Sequence, residues 1–370
     1  MLRDTHLKIN IGYLEDNIKS IQNHCKDTKV GAVLKSNAYG HGAKYMAKSL
    51  YNIGINTFLV ATLLEALELK NENDNYHVII MGHTPDKYLK EVIDKNITQT
   101  IFTYDQAKLL NDLAYEPVKV HIKIETGFNR LGMQINEDTV KEIKQISNLE
   151  NIMIEGAFTH LSLESKDSDL RQFNKFMELM NQLETVGIQI PVKHVCDSIG
   201  MVLYPDFHLD MVRVGALLYG LESEEKGVLD IKPILSFHTK PSHIKTIKKG
   251  ETVSYGNRWV AGDDSFIATL PFGYSDGYPR NMYGKGQVEI KGKSYPIIGV
   301  ICMDQCMVHV DESVTLEDEV HIINQKISVA DLASLAGTNK NEIVSRFTSR
   351  VPRVYIKNNQ VIHTENELIK

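Results

Sequence analysis

From about residue 30 to residue 219, short β-branched runs alternate with longer amphipathic stretches. Strand-like runs fall at 30–34, 58–62, 77–81, 98–102, 119–124, 153–159, 192–196 and 211–214. Helix-like segments fill the gaps, among them 86–95, 105–114, 137–146 and 168–186. Several open on Asp or Ser, side chains that suit an N-cap. Eight strand–helix units in a row predict an α/β fold, a parallel (β/α)8 barrel of TIM type with helices outside. A doubly wound open sheet is the alternative.

After about Leu221 the pattern changes. Helical periodicity fades, and short strands separated by Gly and Lys take over at 286–295 and 296–310, with one short helix at 328–335. The chain therefore divides into a barrel, residues 1–228, and a mainly β domain, residues 229–370. The opening run 7–11, before the helix-like 13–24, could join either one.

Size and composition narrow the function. The 370 residues allow two domains and a large core. A net charge of −6 leaves no excess of Lys and Arg for a general nucleic-acid binder. No apolar run reaches the length of a membrane helix, and the start resembles no signal peptide. Cys25, Cys196, Cys302 and Cys306 form no Cys-x-x-Cys pair and read as reduced thiols of a cytoplasmic protein. Cys302 and Cys306 could share a strand face, but a metal there lacks two further ligands.

In such a barrel the chemistry sits at the C-terminal ends of the strands. Lys35 ends the first strand. Lys123 and Arg130 come at and after the fifth, His160 after the sixth, Asp197 and Ser198 after the seventh, and Arg213 within the eighth. Lysine after an apolar strand is costly to bury charged, so its pKa can fall and it can act as a Schiff-base nucleophile. On position alone, a lysine reaching solvent explains Lys35 better. The turn Tyr39-Gly40-His41-Gly42 that follows offers backbone N–H groups and a hydroxyl suited to phosphate. Ser198, Gly215 and Ala216 offer more donors across the barrel. Pyridoxal phosphate, or a phosphorylated sugar in a Schiff-base aldolase, would fit equally well.

Taken together, six motifs resemble the alanine racemase family over nearly the whole chain. They are 32–42 around Lys35, 123–132 around Arg130, 211–220 around Arg213, 253–256 with Tyr255, 272–280 with Tyr274 and Arg280, and 301–307 with Met303. The resemblance implies a homodimeric isomerase that interconverts L- and D-alanine with pyridoxal 5′-phosphate and supplies D-alanine for peptidoglycan. It implies that Lys35 holds the cofactor and is the base on one face of the substrate, with Tyr255 of a partner subunit on the other. Arg213 would face the pyridine nitrogen, and a cation there makes the ring a weaker electron sink. Arg130 and the backbone N–H of Met303 would bind the substrate carboxylate. Tyr39, Ser198, Gly215 and Ala216 would hold the phosphate. His160 would help to bind the cofactor, and His160 and Arg213 are the cations that would lower the pKa of Tyr255. Lys123 matches a carbamylated position that braces Arg130, and Tyr274 and Arg280 would line the entrance.

The chain departs from the pattern in places. Asp197 replaces an asparagine, which puts a negative charge near the phosphate unless it is protonated or paired. Val214 replaces a proline. Lys8 and Asn10 replace an acidic pair. Ser349 replaces a tyrosine beside the catalytic one, and the lost ring predicts a wider pocket that admits serine. A cofactor-binding protein without turnover is a rival, but such proteins lack the second domain. A decarboxylase of the same fold type would place an acid where Arg213 stands, and a barrel aldolase has no use for the second-domain motifs.

Overall fold

The computed structural model describes residues 2–221 and 227–369. Strand β1 (His6–Asn10) and helix α1 (Ile11–Cys25) open the chain. The parallel strands follow: β2 (Lys29–Val33), β3 (Thr57–Val60), β4 (His77–Ile80), β5 (Thr98–Ile101), β6 (Val118–Glu125), β7 (Ile152–Phe158), β8 (Val192–His194) and β9 (Met211–Val214). All eight overlap the runs expected from sequence. They pair in the order β9-β2-β3-β4-β5-β6-β7-β8, every neighbouring pair parallel. The last gap, β8 to β9, has no regular ladder. Two backbone bonds span it, Asp210 N to Lys193 O and Arg213 N to Cys196 O, 3.1 and 3.0 Å. The result is a nearly closed barrel rather than an open sheet.

The outer helices bury one face each. In α2 (Lys166–Thr185) the buried residues follow the three-to-four spacing of one face, apolar at Phe176, Leu179, Met180 and Leu183 and hydrogen-bonded at Asp169 and Gln172. Its cap is Ser165, whose side chain accepts from Ser168 N, so the helix starts before the expected 168. The expected helix 86–95 is split into a 3-10 turn, Asp86–Tyr88, and a helix, Leu89–Asp94.

The second sheet is built from β10 (Leu235–Thr239), β11 (His243–Ile247), β12 (Ser265–Leu270), β13 (Gln287–Ile290), β14 (Lys293–Ile298), β15 (Cys306–Val310), β16 (Val320–Ile323), β17 (Arg353–Lys357) and β18 (Gln360–Glu365). Strand β1 joins it between β10 and β17, in the order β11-β12-β15-β14-β13-β16-β10-β1-β17-β18. The start of the chain is thus stitched into the later sheet. The two replacements near the N-terminus have local uses there. Lys8 Nζ sits 2.5 Å from Glu319 Oε1, and Asn10 caps α1 by accepting from Tyr13 N. Cys306 lies in β15, whereas Cys302 lies in the preceding loop, so the two do not share a strand face. All four cysteines are free. Among the described residues, no helix is long and apolar enough to cross a membrane.

Candidate active site

Lys35 follows β2 and Leu34 directly, half-buried at the C-terminal mouth of the barrel. The next residues adopt a conformation that sequence patterning misses. Ser36, Asn37, Ala38 and Tyr39 have φ of 54, 55, 52 and 54°, a left-handed turn made without glycine. Each such residue costs roughly 1–2 kcal/mol. The surroundings hold the turn in place. Ser36 N donates to Glu65 Oε1 at 2.7 Å. Asn37 accepts from Ala43 N at 2.6 Å and donates to Glu367 Oε1 at 2.7 Å.

The second sheet clamps the same turn. Fully buried Arg353 donates from Nε to Gly40 O at 2.8 Å and pairs with Glu367 at 2.5 Å. Tyr355 donates its hydroxyl to His41 O at 3.0 Å. Gly40 has φ of 80°, and a Cβ there would lie 2.1 Å from Val344 O. Only glycine fits that contact.

Four cations gather around the mouth. Burial lowers the Lys35 pKa, with Arg130 and Arg213 adding to the effect against Glu65 and Asp197. Burial, with Arg213 and Arg130, pushes Lys123 down to about 8; its amine donates to Ile124 O at 2.7 Å. Burial and then Arg213 and Arg130 push His160 down to about 3, so its ring is neutral at physiological pH and is not the cation expected from the sequence. Arg130 is exposed, with its guanidinium 4.4 Å over the Phe128 ring, and no described carboxylate pairs with it. A field of this sign suits an anionic ligand.

Arg213 is buried in β9. Nη1 donates to His194 Nδ1 and His194 O at 3.0 and 3.1 Å. Nη2 reaches Thr159 O, Val195 O and His160 Nδ1 at 3.0, 2.9 and 3.3 Å. None of the described residues accepts from its Nε–H, which remains as a donor for a ligand.

The remaining donors lie around Gly215. Gly215 N donates to Ser198 Oγ at 3.0 Å, and a Cβ on Gly215 would lie 2.7 Å from Tyr39 Oη. Burial, with Asp197 adding, raises Tyr39 to about 12, so its hydroxyl keeps its proton. Ser198 and Ala216 each begin a helical turn, and no described residue accepts from their own N–H groups. Asp197 caps the Ser198–Leu203 helix, accepting from Ile199 N and Gly200 N at 3.0 and 2.9 Å. Its charge is therefore paired with backbone donors, the condition the sequence reading required. Together these groups suit a phosphate beside a reactive amine.

Tyr255, Met303, Tyr274 and Arg280 belong to the second domain. Tyr255 is 69% exposed and Met303 53%. Tyr255 lines a groove of 360 Å³ with Ser254, Cys302, Gln305 and Met307. Tyr274 N donates to Cys302 O, and Ser275 Oγ to Met303 O, so these two motifs support one loop. Arg280 is exposed in a short 3-10 turn. No hydrogen bond or ion pair among the described residues joins these four to the barrel cluster of the same chain.

Known proteins share this arrangement from end to end. The profile described as alanine racemase, N-terminal domain, matches residues 9–223, and that of the C-terminal domain matches 234–355. The alanine racemase of Clostridium tetani is 37% identical over 99% of this chain and 98% of its own length. The solved alanine racemase of Clostridium difficile 630 superimposes with a TM-score of 0.96 at 33% identity, covering 100% of both chains. A histidine racemase from Leuconostoc mesenteroides subsp. sake has a TM-score of 0.89 at 27% identity, covering 96% of this chain and 98% of its own. The chain belongs to the alanine racemase family.

Proposed function

We propose that this chain is an alanine racemase, an isomerase that interconverts L- and D-alanine using pyridoxal 5′-phosphate. The observation that carries the reading is Lys35: a half-buried amine of lowered pKa, among Arg130 and Arg213 and across from the phosphate-suited donors at Tyr39, Ser198 and Ala216, with Gly215 N–H holding Ser198 Oγ in place. The free Nε–H of Arg213 and the room that Gly215 leaves for Tyr39 support the fit of the cofactor. Bound there, the group supplies an electron sink that acidifies the Cα–H of an amino acid.

The chain's own residues do the rest. Lys35 Nζ, favoured in its neutral form by burial, exchanges a proton with one face of Cα. Tyr255 of a second copy exchanges a proton with the opposite face. One proton leaves and one returns, so nothing is oxidised. Arg130 and the Met303 N–H orient the carboxylate. Lys123 at about 8 has a neutral fraction near physiological pH, as carbamylation requires, and the carboxylate so formed would give Arg130 its missing partner. Arg213 presents a donor that stays charged. The exposure of Tyr255 and Met303 and their separation from the barrel cluster support a homodimer with shared sites, and Tyr274 and Arg280 belong to its entrance. We divide the chain into residues 1–228 and 229–370, with strand β1 of the first part paired into the second domain's sheet, and the four free thiols fit a cytoplasmic setting.

The test is the optical activity of L-alanine incubated with cofactor-loaded protein. It should decay to zero; persistence would refute the reading. A second reading, racemisation of serine or a broader set, is favoured by Ser349, exposed where the family carries a tyrosine.

A further inference from the structure

A chain of buried groups begins on Arg213 and runs through the barrel away from the mouth. Arg213 Nη1 lies 3.0 Å from His194 Nδ1. His194 Nε2 lies 2.9 Å from His121 Nδ1, and His121 Nε2 lies 3.3 Å from Glu155 Oε2. Both imidazoles are buried to 1% exposure or less. The far end is anchored too. Glu155 Oε2 takes His77 Nε2 at 2.9 Å and Thr98 Oγ1 at 3.2 Å, and Oε1 pairs with Lys119 at 3.2 Å. His77 and Thr98 are the first residues of β4 and β5, so the chain ends at the opposite rim of the barrel.

The direction of every proton in this chain is forced. An arginine only donates, so His194 Nδ1 must carry the lone pair and Nε2 the hydrogen. His121 Nδ1 must then accept, and His121 Nε2–H must donate to Glu155. An ionised carboxylate only accepts, which closes the sequence consistently. Burial lowers the pKa of both rings and keeps them neutral. Against its own burial, the hydrogen bonds from His121 and His77 hold the Glu155 carboxyl well below the usual carboxylate range. A cation at one end and an anion at the other polarise the two rings in the same sense.

We propose that His194 and His121 are positioning residues for the reaction and that Glu155 is the acceptor that anchors the far end of their chain, the three together fixing the guanidinium so that its Nε–H stays presented to a ligand. The proposal rests on the placing of Arg213 under Proposed function. On β6, His121 and Lys123 alternate onto the same face, so this one strand serves both Arg213 and Arg130. Both histidines are buried, and their part in the reaction runs through Arg213.

The test has two arms. In 15N-histidine-labelled protein at neutral pH, with and without pyridoxal phosphate, His194 and His121 should both be neutral with the hydrogen on Nε2. A hydrogen on Nδ1 of either ring, or a doubly protonated ring, would overturn the proposal. In the second arm, His121→Phe and Glu155→Leu should cut kcat about 10- to 100-fold, the order expected when a reacting group loses its orientation. KM for alanine should change little, and the visible absorption band of the bound cofactor should shift. Glu155→Gln, which keeps an acceptor for His121, should retain the wild-type band. Unshifted bands and unchanged kcat in correctly folded variants would overturn the proposal; should His121→Phe not fold, Glu155→Leu and the tautomers decide. A wild-type protein that shows no visible band with the cofactor would instead count against the proposed function, leaving the tautomer result to stand by itself.

Discussion

The hydroxyl of Tyr39 lies 2.7 Å from the point where a Cβ on Gly215 would stand. The close approach couples the turn after Lys35 to the start of the Ala216–Tyr219 turn across the barrel. A Cβ on Gly215 would also lie 3.1 Å from Tyr39 Cζ and 3.3 Å from Val33 Cβ, so alanine there clashes with the tyrosine ring. Gly215→Ala should displace the tyrosine ring and weaken pyridoxal phosphate binding by about tenfold, at an overpacking cost of about 1–3 kcal/mol. Fluorescence titration with the cofactor checks this.

Arg353 carries the second sheet's grip on the left-handed turn. It is 1% exposed, bonded to Gly40 O and paired with Glu367. Arg353→Met releases Gly40 O and leaves Glu367, which is exposed, with Asn37 alone. The cost is that of a lost charged hydrogen bond, about 1.5–3 kcal/mol. Urea unfolding should show a loss of that order, with cofactor affinity falling alongside because the strained turn relaxes.

Tyr255→Phe removes the hydroxyl proposed for one face of Cα and leaves the fold alone, since the side chain is 69% exposed. Racemisation should fall by about 10²–10⁴-fold, the usual contribution of a positioned acid or base. Exchange of the Cα hydrogen with D2O should persist from one enantiomer only. Equal exchange from both would remove Tyr255 from the mechanism.

Ser349 sits between Thr348, which donates to Ser275 O, and Arg350, which bridges Asp276 and Asp304. Its neighbours are fixed while its own small side chain is exposed. Ser349→Tyr should shift the serine-to-alanine ratio of kcat/KM toward alanine by about 1–3 kcal/mol, or roughly 5- to 150-fold. An unchanged ratio would show that Ser349 does not set the preference.

The sequence carried the barrel because eight β-branched runs recur with amphipathic helices between them, a pattern that burial alone enforces. It carried Lys35, Arg130 and Arg213 through the motifs that resemble the family, because position alone is explained as well by a lysine reaching solvent. It did not carry the left-handed turn at 36–39, since of Ser, Asn, Ala and Tyr only Asn has a local tendency to positive φ. That conformation comes from Glu65, Arg353, Tyr355 and Glu367, all distant in sequence. Asp197 looked like a liability beside a phosphate until its carboxylate was seen to cap a helix. The buried run from His194 to Glu155 was hidden because its members sit on three different strands. The one local signal was the alternation of Lys119, His121 and Lys123 along β6, polar where the strand faces inward.

The central claim is that Lys35 holds the cofactor by its amine, and borohydride reduction of the loaded protein tests it most directly. Reduction should bleach the yellow protein, abolish racemisation, and leave one pyridoxyl group, found by peptide mass analysis on Lys35. A label on Lys123 or any other lysine, or no label on a protein that still racemises alanine, would contradict the account.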